Sequence, residues 1–465
     1  MTKFNVGKLL RSIGFSVLTV LLCNVLFSLV YSFSFIIPKK DLINSLERAQ
    51  LTSVLKTPVN SIERSTTGWG IDYGTECVAL SIGLKDKVKY SGVEKLKSRF
   101  YDSYLVSGQN NGVFDPCAGL IQLINPSNSS MQDKDLISYA RNWWGMSIII
   151  QILIWFVGLA TAKSFLYIGM IVSLGVFYYR FTKMVKDYRV GLLFLFPLIL
   201  FGDFQELHNS FPYAIFLIEL FIIAFFAIKL VEPDKYNASK FLIFSVSVGS
   251  VYNFIFWFNF HIVLTFVPAI IFLLLYRKES FNSIISKVFV FLSGFSLGFV
   301  ATTVIKWALS VAIYGDEVLT TIKDALGLRL GSGTQGINQP LSQYSSDFSA
   351  LPLSLRAIVI NLMVTASKYI DPRNSSPVGV IIFASFYFIV LYFYFKRMNP
   401  VKNISAIEFI CACAIAFIPF YYYILTPNHS FNHAAVSYRA IPVAIGFMLS
   451  FIYLSKNRSR KLINS

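Results

Sequence analysis

Long apolar runs recur from one end of the chain to the other, separated by short links rich in lysine and arginine. About 20 consecutive apolar residues cross a bilayer as a helix. A helix is also the form that satisfies its own backbone hydrogen bonds in lipid. The first run covers residues 12–37 and follows Lys3, Lys8 and Arg11. It is too long for the apolar core of a signal peptide, and no small-residue cleavage site follows it. It therefore predicts an uncleaved first span with a cytoplasmic N-terminus. Residues 38–145 lose the pattern and read as one extracytoplasmic loop domain with helices lying on the membrane surface.

Two apolar runs then follow closely, 144–161 and 164–180. If both crossed, the basic stretch Arg180, Lys183, Lys186 and Arg189 would fall outside. Basic links belong in the cytoplasm, so 144–161 is expected to be a re-entrant or interfacial helix and 164–180 a span. The remaining predicted spans are 189–202, 211–230, 241–257, 260–276, 288–314, 377–396, 404–425 and 439–455, with an interfacial helix over 354–369. The predicted fold is an all-α integral membrane protein of about ten transmembrane helices. Its parts are an N-terminal tail and first span (1–37), a loop domain (38–145) and a transmembrane core (146–314). A second extracytoplasmic loop with its interfacial helix (315–376) and C-terminal spans with a cytoplasmic tail (377–465) complete it.

Composition agrees: 55% of the 465 residues are hydrophobic and only 14% charged, too few to clothe a soluble protein of this size. The net charge of +17 lies largely in links predicted to be cytoplasmic. No basic-aromatic motif accompanies it, so no nucleic-acid partner is expected. Of the five cysteines, Cys23, Cys411 and Cys413 lie in apolar runs, whereas Cys77 and Cys117 share the first loop. Outside the cytoplasm those two can form a disulfide.

The predicted threading collects the reactive side chains on the extracytoplasmic side. "GIDYGTECVALS" (70–81) sets Asp72 and Glu76 four apart, on one face of a helix. Either could take a proton from an attacking hydroxyl, or both could simply favour a helix start. "FGDFQELHNSFPY" (201–213) carries Asp203, Glu206 and His208 in a turn that suits either acceptor binding or helix capping. Carboxylate with imidazole could also hold a divalent ion. With no HExxH and no third ligand at fixed spacing, no metal or other cofactor is assigned. "YNFIFWFNFHIVLTF" (252–266) adds Asn259 and His261, and "YARNWWG" (139–145) adds Arg141 beside two tryptophans. Lys306 lies within a predicted span, a position that calls for a cavity or an anion. "NHSFNHAAVSYR" (428–439) places His429 and His433 four apart and Arg439 at the start of the last span, where a guanidinium can grip a phosphate with two hydrogen bonds.

In their order along the chain, these segments resemble the bacterial polytopic glycosyltransferases of the GT-C type. The layout is similar to that of the serotype-converting glucosyltransferases that modify O-antigen, with a large periplasmic loop after the first span and a functional segment near the C-terminus. The resemblance implies an enzyme of the inner membrane with its active face towards the periplasm. It would move a sugar, with glucose as the expected one, from a polyprenyl-phosphate donor to a lipid-linked glycan acceptor. Asp72 or Glu76 would be the catalytic base, with Asp41 and Glu47 as rivals, since no Asp-x-Asp follows the first span. Arg439, His429, His433, Lys306 and Arg141 would bind donor phosphate or sugar. Asp203, Glu206, His208, His261 and Asn259 would line the acceptor side. An O-antigen polymerase and a lipid-linked sugar transporter or flippase are the competing readings. The large loop comes early rather than late, and no internal repeat is visible, which disfavours each in turn.

Overall fold

The computed structural model describes residues 6–33, 37–51, 73–81, 104–106, 108–110, 113–115, 119–121, 124, 136–138, 143, 145–201, 210–256, 259–330, 351–367, 404–432 and 437–463. The protein is helical. Helix α1 is Val6–Phe33, α2 Lys39–Leu51, α3 Tyr73–Ser81, α4 Gly145–Val157, α5 Leu159–Val185 and α6 Tyr188–Phe201. Then come α7 (Phe211–Leu230), α8 (Ala238–Phe256), α9 (Phe260–Leu275), α10 (Phe281–Tyr314), α11 (Asp316–Leu330) and α12 (Leu353–Ser367). The last are α13 (Ala406–Ala416), α14 (Ile418–Leu425), α15 (Pro427–Asn432) and α16 (Ala440–Ile463). Among the described residues, five helices (α1, α5, α7, α8 and α10) are long and apolar enough to cross a membrane. The pair α13 and α14 makes six if counted as one span bent by 48°. Pro419 accounts for the bend, because it lacks an N–H and its ring collides with the carbonyl one turn back.

Several expectations change. The span expected over 288–314 begins earlier, at Phe281, and the one over 164–180 is a longer helix. The glycine-rich second loop opens with helix α11. The first loop holds more than surface helices: among the described residues, four three-residue strands form two antiparallel ladders, β1 (Tyr104–Val106) with β4 (Leu136–Ser138) and β2 (Gly108–Asn110) with β3 (Val113–Asp115). The span expected over 377–396 lies outside the described residues.

Contacts at the helix ends sort the bundle into two faces. On one, Ser12 of α1 meets Ser239 of α8 at 3.0 Å, and Lys278 donates to the Met184 carbonyl at 2.6 Å. There Arg277 donates to the Leu454 carbonyl, and Glu232 accepts from Arg180 and Lys235. The bond from Lys235 holds the Glu232 carboxyl below its usual range, against a smaller effect of burial. This basic face joins the starts of α1, α6, α8 and α10 to the ends of α5, α7, α9 and α16. The opposite face joins the complementary ends.

Helix α4 belongs to the opposite face at both of its ends. Trp143, just before it, packs edge-on against Phe27, Tyr31 and Phe254, at the ends of α1 and α8. Its other end is Gly158, whose positive φ of 76° breaks α4 from α5 beside Ser45 of α2. Only glycine adopts that φ without strain. Thirteen residues give α4 a length of about 20 Å, short of a hydrocarbon core of about 30 Å. A cysteine at Lys183, beyond the end of the predicted span, should therefore resist a membrane-impermeant maleimide added outside intact cells. Ready labelling there would mean that 144–161 crosses after all.

The interior is closed by small residues. A Cβ on Gly249 of α8 would collide with the Phe295 carbonyl of α10, and one on Gly298 with the Val246 carbonyl. Helices in lipid approach this closely where side chains are small, and polar groups then bridge them. Asn253 accordingly donates to Thr303 at 2.7 Å. In the loop domain Cys77 is disulfide-bonded, while Cys23, Cys411 and Cys413 are free. Cys117, the expected partner, lies outside the described residues. Alkylation of unfolded but unreduced protein should modify the three free thiols and spare Cys77 and Cys117. A reactive thiol at either position would refute the pairing.

Candidate functional site

Among the described residues, the face opposite the basic one gathers three buried cations, each resting on an aromatic ring. Lys163, in the first turns of α5, lies 5.5 Å from the Phe211 ring centre. Lys306 lies over Trp143 at 4.7 Å. Arg439, just before α16, stacks on Tyr213 at 4.2 Å and reaches Tyr438 at 5.4 Å. Such contacts stabilise a desolvated cation by about 0.5–2 kcal/mol each. Lys306 sits in the last third of α10, where the Trp143 ring receives its ammonium.

Phe211 and Tyr213 both belong to the first turn of α7, so Lys163 and Arg439 flank one helix N-terminus. First-turn N–H groups lack intrahelical acceptors, and the helix dipole makes that end positive. Ser210 precedes the turn, is fully buried, and makes no capping bond through its hydroxyl. Pro212 stands where a missing N–H does no harm. The local field at this end of α7 favours an anion.

Among the described residues, Glu76 brings a carboxylate to this group. It lies on α3 beside the bonded Cys77, is 2% exposed, and pairs with Lys163 at 2.7 Å. Burial pushes its carboxyl above the usual carboxylate range, while the Lys163 ammonium pulls against it. The pair ties the loop domain to α5. Glu76 is therefore engaged by a lysine that carries no motif signature, and Asp72 lies outside the described residues.

A second group holds the turn that carries Arg439. Tyr423 donates to the Ser437 carbonyl at 2.9 Å, Ser437 donates to Asn361 Oδ1 at 2.6 Å, and Asn361 donates to the Ser430 carbonyl at 3.1 Å. His261 lies flat on Tyr422 at 4.0 Å, and its Nε2 also meets the Ser437 carbonyl, at 3.0 Å. A carbonyl only accepts, so Nε2 carries a proton and donates this bond. Asn259 starts α9 in a left-handed conformation (φ 62°), and its buried amide has no hydrogen-bond partner among the described residues. His429, on α15, stands edge-on to Tyr422 at 6.4 Å.

The structure thus joins Arg439, His261 and His429 through Tyr422 and the 437–439 turn, and links Arg439 to Glu76 through α7 and Lys163. Lys306 forms a separate contact with Trp143. Arg141, Asp203, Glu206, His208 and His433 lie outside the described residues. Sequence reasoning missed Lys163, Tyr213 and Asn361, because nothing in their immediate surroundings sets them apart. It also missed Glu219, an acid inside an apolar run, which an intramembrane-charge criterion would have flagged. Glu219 is buried about 12 Å along α7, and neither oxygen has a hydrogen-bond partner among the described residues. Also among the described residues, no three His, Cys, Asp or Glu side chains converge as metal ligands.

Comparison with protein families, curated proteins and solved structures finds no match to this chain. The fold itself defines a helical protein with several helices fit to cross a membrane. One of its two faces carries buried cations around a helix N-terminus.

Proposed function

We propose that the chain is a membrane glycosyltransferase of the GT-C type with about ten spans. It moves a sugar, glucose in the first instance, from a polyprenyl-phosphate donor to a lipid-linked surface glycan such as O-antigen. The basic face is cytoplasmic and the cation-bearing face meets the periplasm of the inner membrane. The observation that carries this reading is Arg439, 3% exposed and stacked on Tyr213 at the positive end of α7. A guanidinium held there suits a phosphate delivered from the membrane side, whose lipid tail remains in the bilayer.

In the transfer, a carboxylate accepts the proton of the acceptor hydroxyl as its oxygen bonds to the sugar C1. The bond from C1 to the phosphate oxygen breaks, and the leaving polyprenyl phosphate keeps the electron pair. Arg439 stabilises the charge on that phosphate, with His429, His433, Lys306 and Arg141 as further donor-binding groups. Asp72 is the first acid to test as the base, because Glu76 is held by Lys163. Asp203, Glu206, His208, His261 and Asn259 lie on the acceptor side.

A lipid-linked sugar transporter is the second reading, and Glu219 favours it: buried acids within spans mark ion or proton paths. Surface polysaccharide compared with and without the gene separates the readings. Loss of one side-branch sugar with an intact backbone is the expected result. Loss of the backbone indicates polymerisation or transport, and an unchanged glycan sinks the proposal.

A further inference from the structure

We propose that the elbow between α5 and α6, on the basic face, is a binding site for the head group of an anionic phospholipid, independent of the transfer chemistry. A cavity of about 570 Å³ opens there, lined by Tyr179, Lys183, Lys186, Tyr188, Arg189 and Tyr453, among others. That volume is in the range of small-molecule sites. Three of the lining side chains are cationic, and among the described residues none of them is ion-paired.

The lining holds one carboxylate, Asp187, and it is turned to a backbone task. Its Oδ1 accepts the Arg189 N–H at 3.1 Å, which caps the start of α6. Arg189 reaches Tyr453 of α16 at 3.5 Å, so the guanidinium is steered across the cavity mouth. Lys186 closes α5 with its N–H on the Thr182 carbonyl while in the left-handed region, at φ 58°. Glycine fills that position without strain. The chain instead places a cation there, pointing to a use for its side chain.

The surroundings distinguish a lipid from a free anion. Val172, Val176 and Tyr179 form an exposed strip on α5, and Tyr188, Leu192 and Phe196 form another on α6. Each strip repeats at helical spacing and so lies along one side of its helix. The two strips converge on the cavity, which gives the head group a charged seat and the two acyl chains an apolar track each. Basic pockets between helices at head-group depth recognise anionic lipids in this way.

The test uses the full chain in phosphatidylcholine nanodiscs with graded phosphatidylglycerol. Native mass spectrometry would read lipid retained, and thermal unfolding would read protection. Phosphatidylglycerol should protect saturably, with one tight lipid retained. The variant K183Q/K186Q/R189Q should weaken retention at least about tenfold. R11Q/K229Q/K240Q removes the same charge from the same face, at residues outside the cavity lining and its neighbouring ion pairs, and should retain the lipid. Lys186→Gly, which relieves the backbone, should fold at least as well as the parent while binding less lipid. Equal loss in both triple variants would reduce the effect to diffuse attraction and overturn the site. Equal protection by inorganic phosphate would overturn the lipid assignment.

Discussion

Arg439→Ala should eliminate sugar transfer while leaving the protein in the membrane at its normal level. The guanidinium is buried, stacks on Tyr213, and stands on a turn fixed by Tyr423, Ser437 and Asn361, so its geometry is preset. Removing one preorganised charge-stabilising group from an active site lowers turnover by roughly 10²–10³-fold. Arg439→Lys keeps the charge but loses the planar fork that binds phosphate through two hydrogen bonds. It should therefore lose most of the activity too, which a requirement for positive charge alone would not produce. Tyr213→Leu removes the ring beneath the guanidinium and should raise the donor KM more than it lowers kcat. The readout is glycan composition, with the protein quantified by immunoblot. Wild-type glycan from Arg439→Ala at normal abundance would leave the 428–439 segment as a connecting loop and remove the basis of the proposed donor site.

Much of the bundle was legible because membrane helices are specified by local composition. Runs 211–230 and 241–257 correspond to α7 and α8 nearly residue for residue. The expectation that 144–161 is a re-entrant or interfacial helix came from the charge of the link after α5, and α4 has both of its ends on the face opposite the basic one. The two short ladders in the loop domain were not legible, since three residues are too few to show alternation. The site was half legible for a related reason. Arg439 and Lys306 are conspicuous as cations against apolar sequence, and each was singled out. Their aromatic partners are not: Tyr213 is one of 25 tyrosines, and nothing local says which meets a guanidinium from the far end of the chain. Lys163 looks like a residue of the short link between two apolar runs. Its role comes from Glu76, which the fold brings to it from the loop domain.

That pair supplies the other large expected effect. Glu76→Gln leaves the Lys163 ammonium, 9% exposed as a residue, without its carboxylate. Lys163→Met leaves a buried carboxylate without its cation. Breaking a buried pair from one side destabilises by about 3–5 kcal/mol, because the remaining charge stays desolvated. Replacing both members by neutral residues removes that penalty, so Glu76→Gln/Lys163→Met should recover most of the lost stability. The unfolding midpoint in mild detergent would be measured for all four proteins. Simple addition of the single effects would show that the two side chains do not act on one another, contrary to their 2.7 Å separation. The double variant also answers the question that the single ones blur. A dead Glu76→Gln could mean a lost base or a loop domain detached from α5. In the double variant the attachment is restored by neutral packing while the carboxylate is still absent. If it transfers sugar, Glu76 is a strut and Asp72 remains the acid to test as the base. If it is stable, abundant and inactive, while Asp72→Asn transfers normally, Glu76 is itself the group that takes the acceptor's proton.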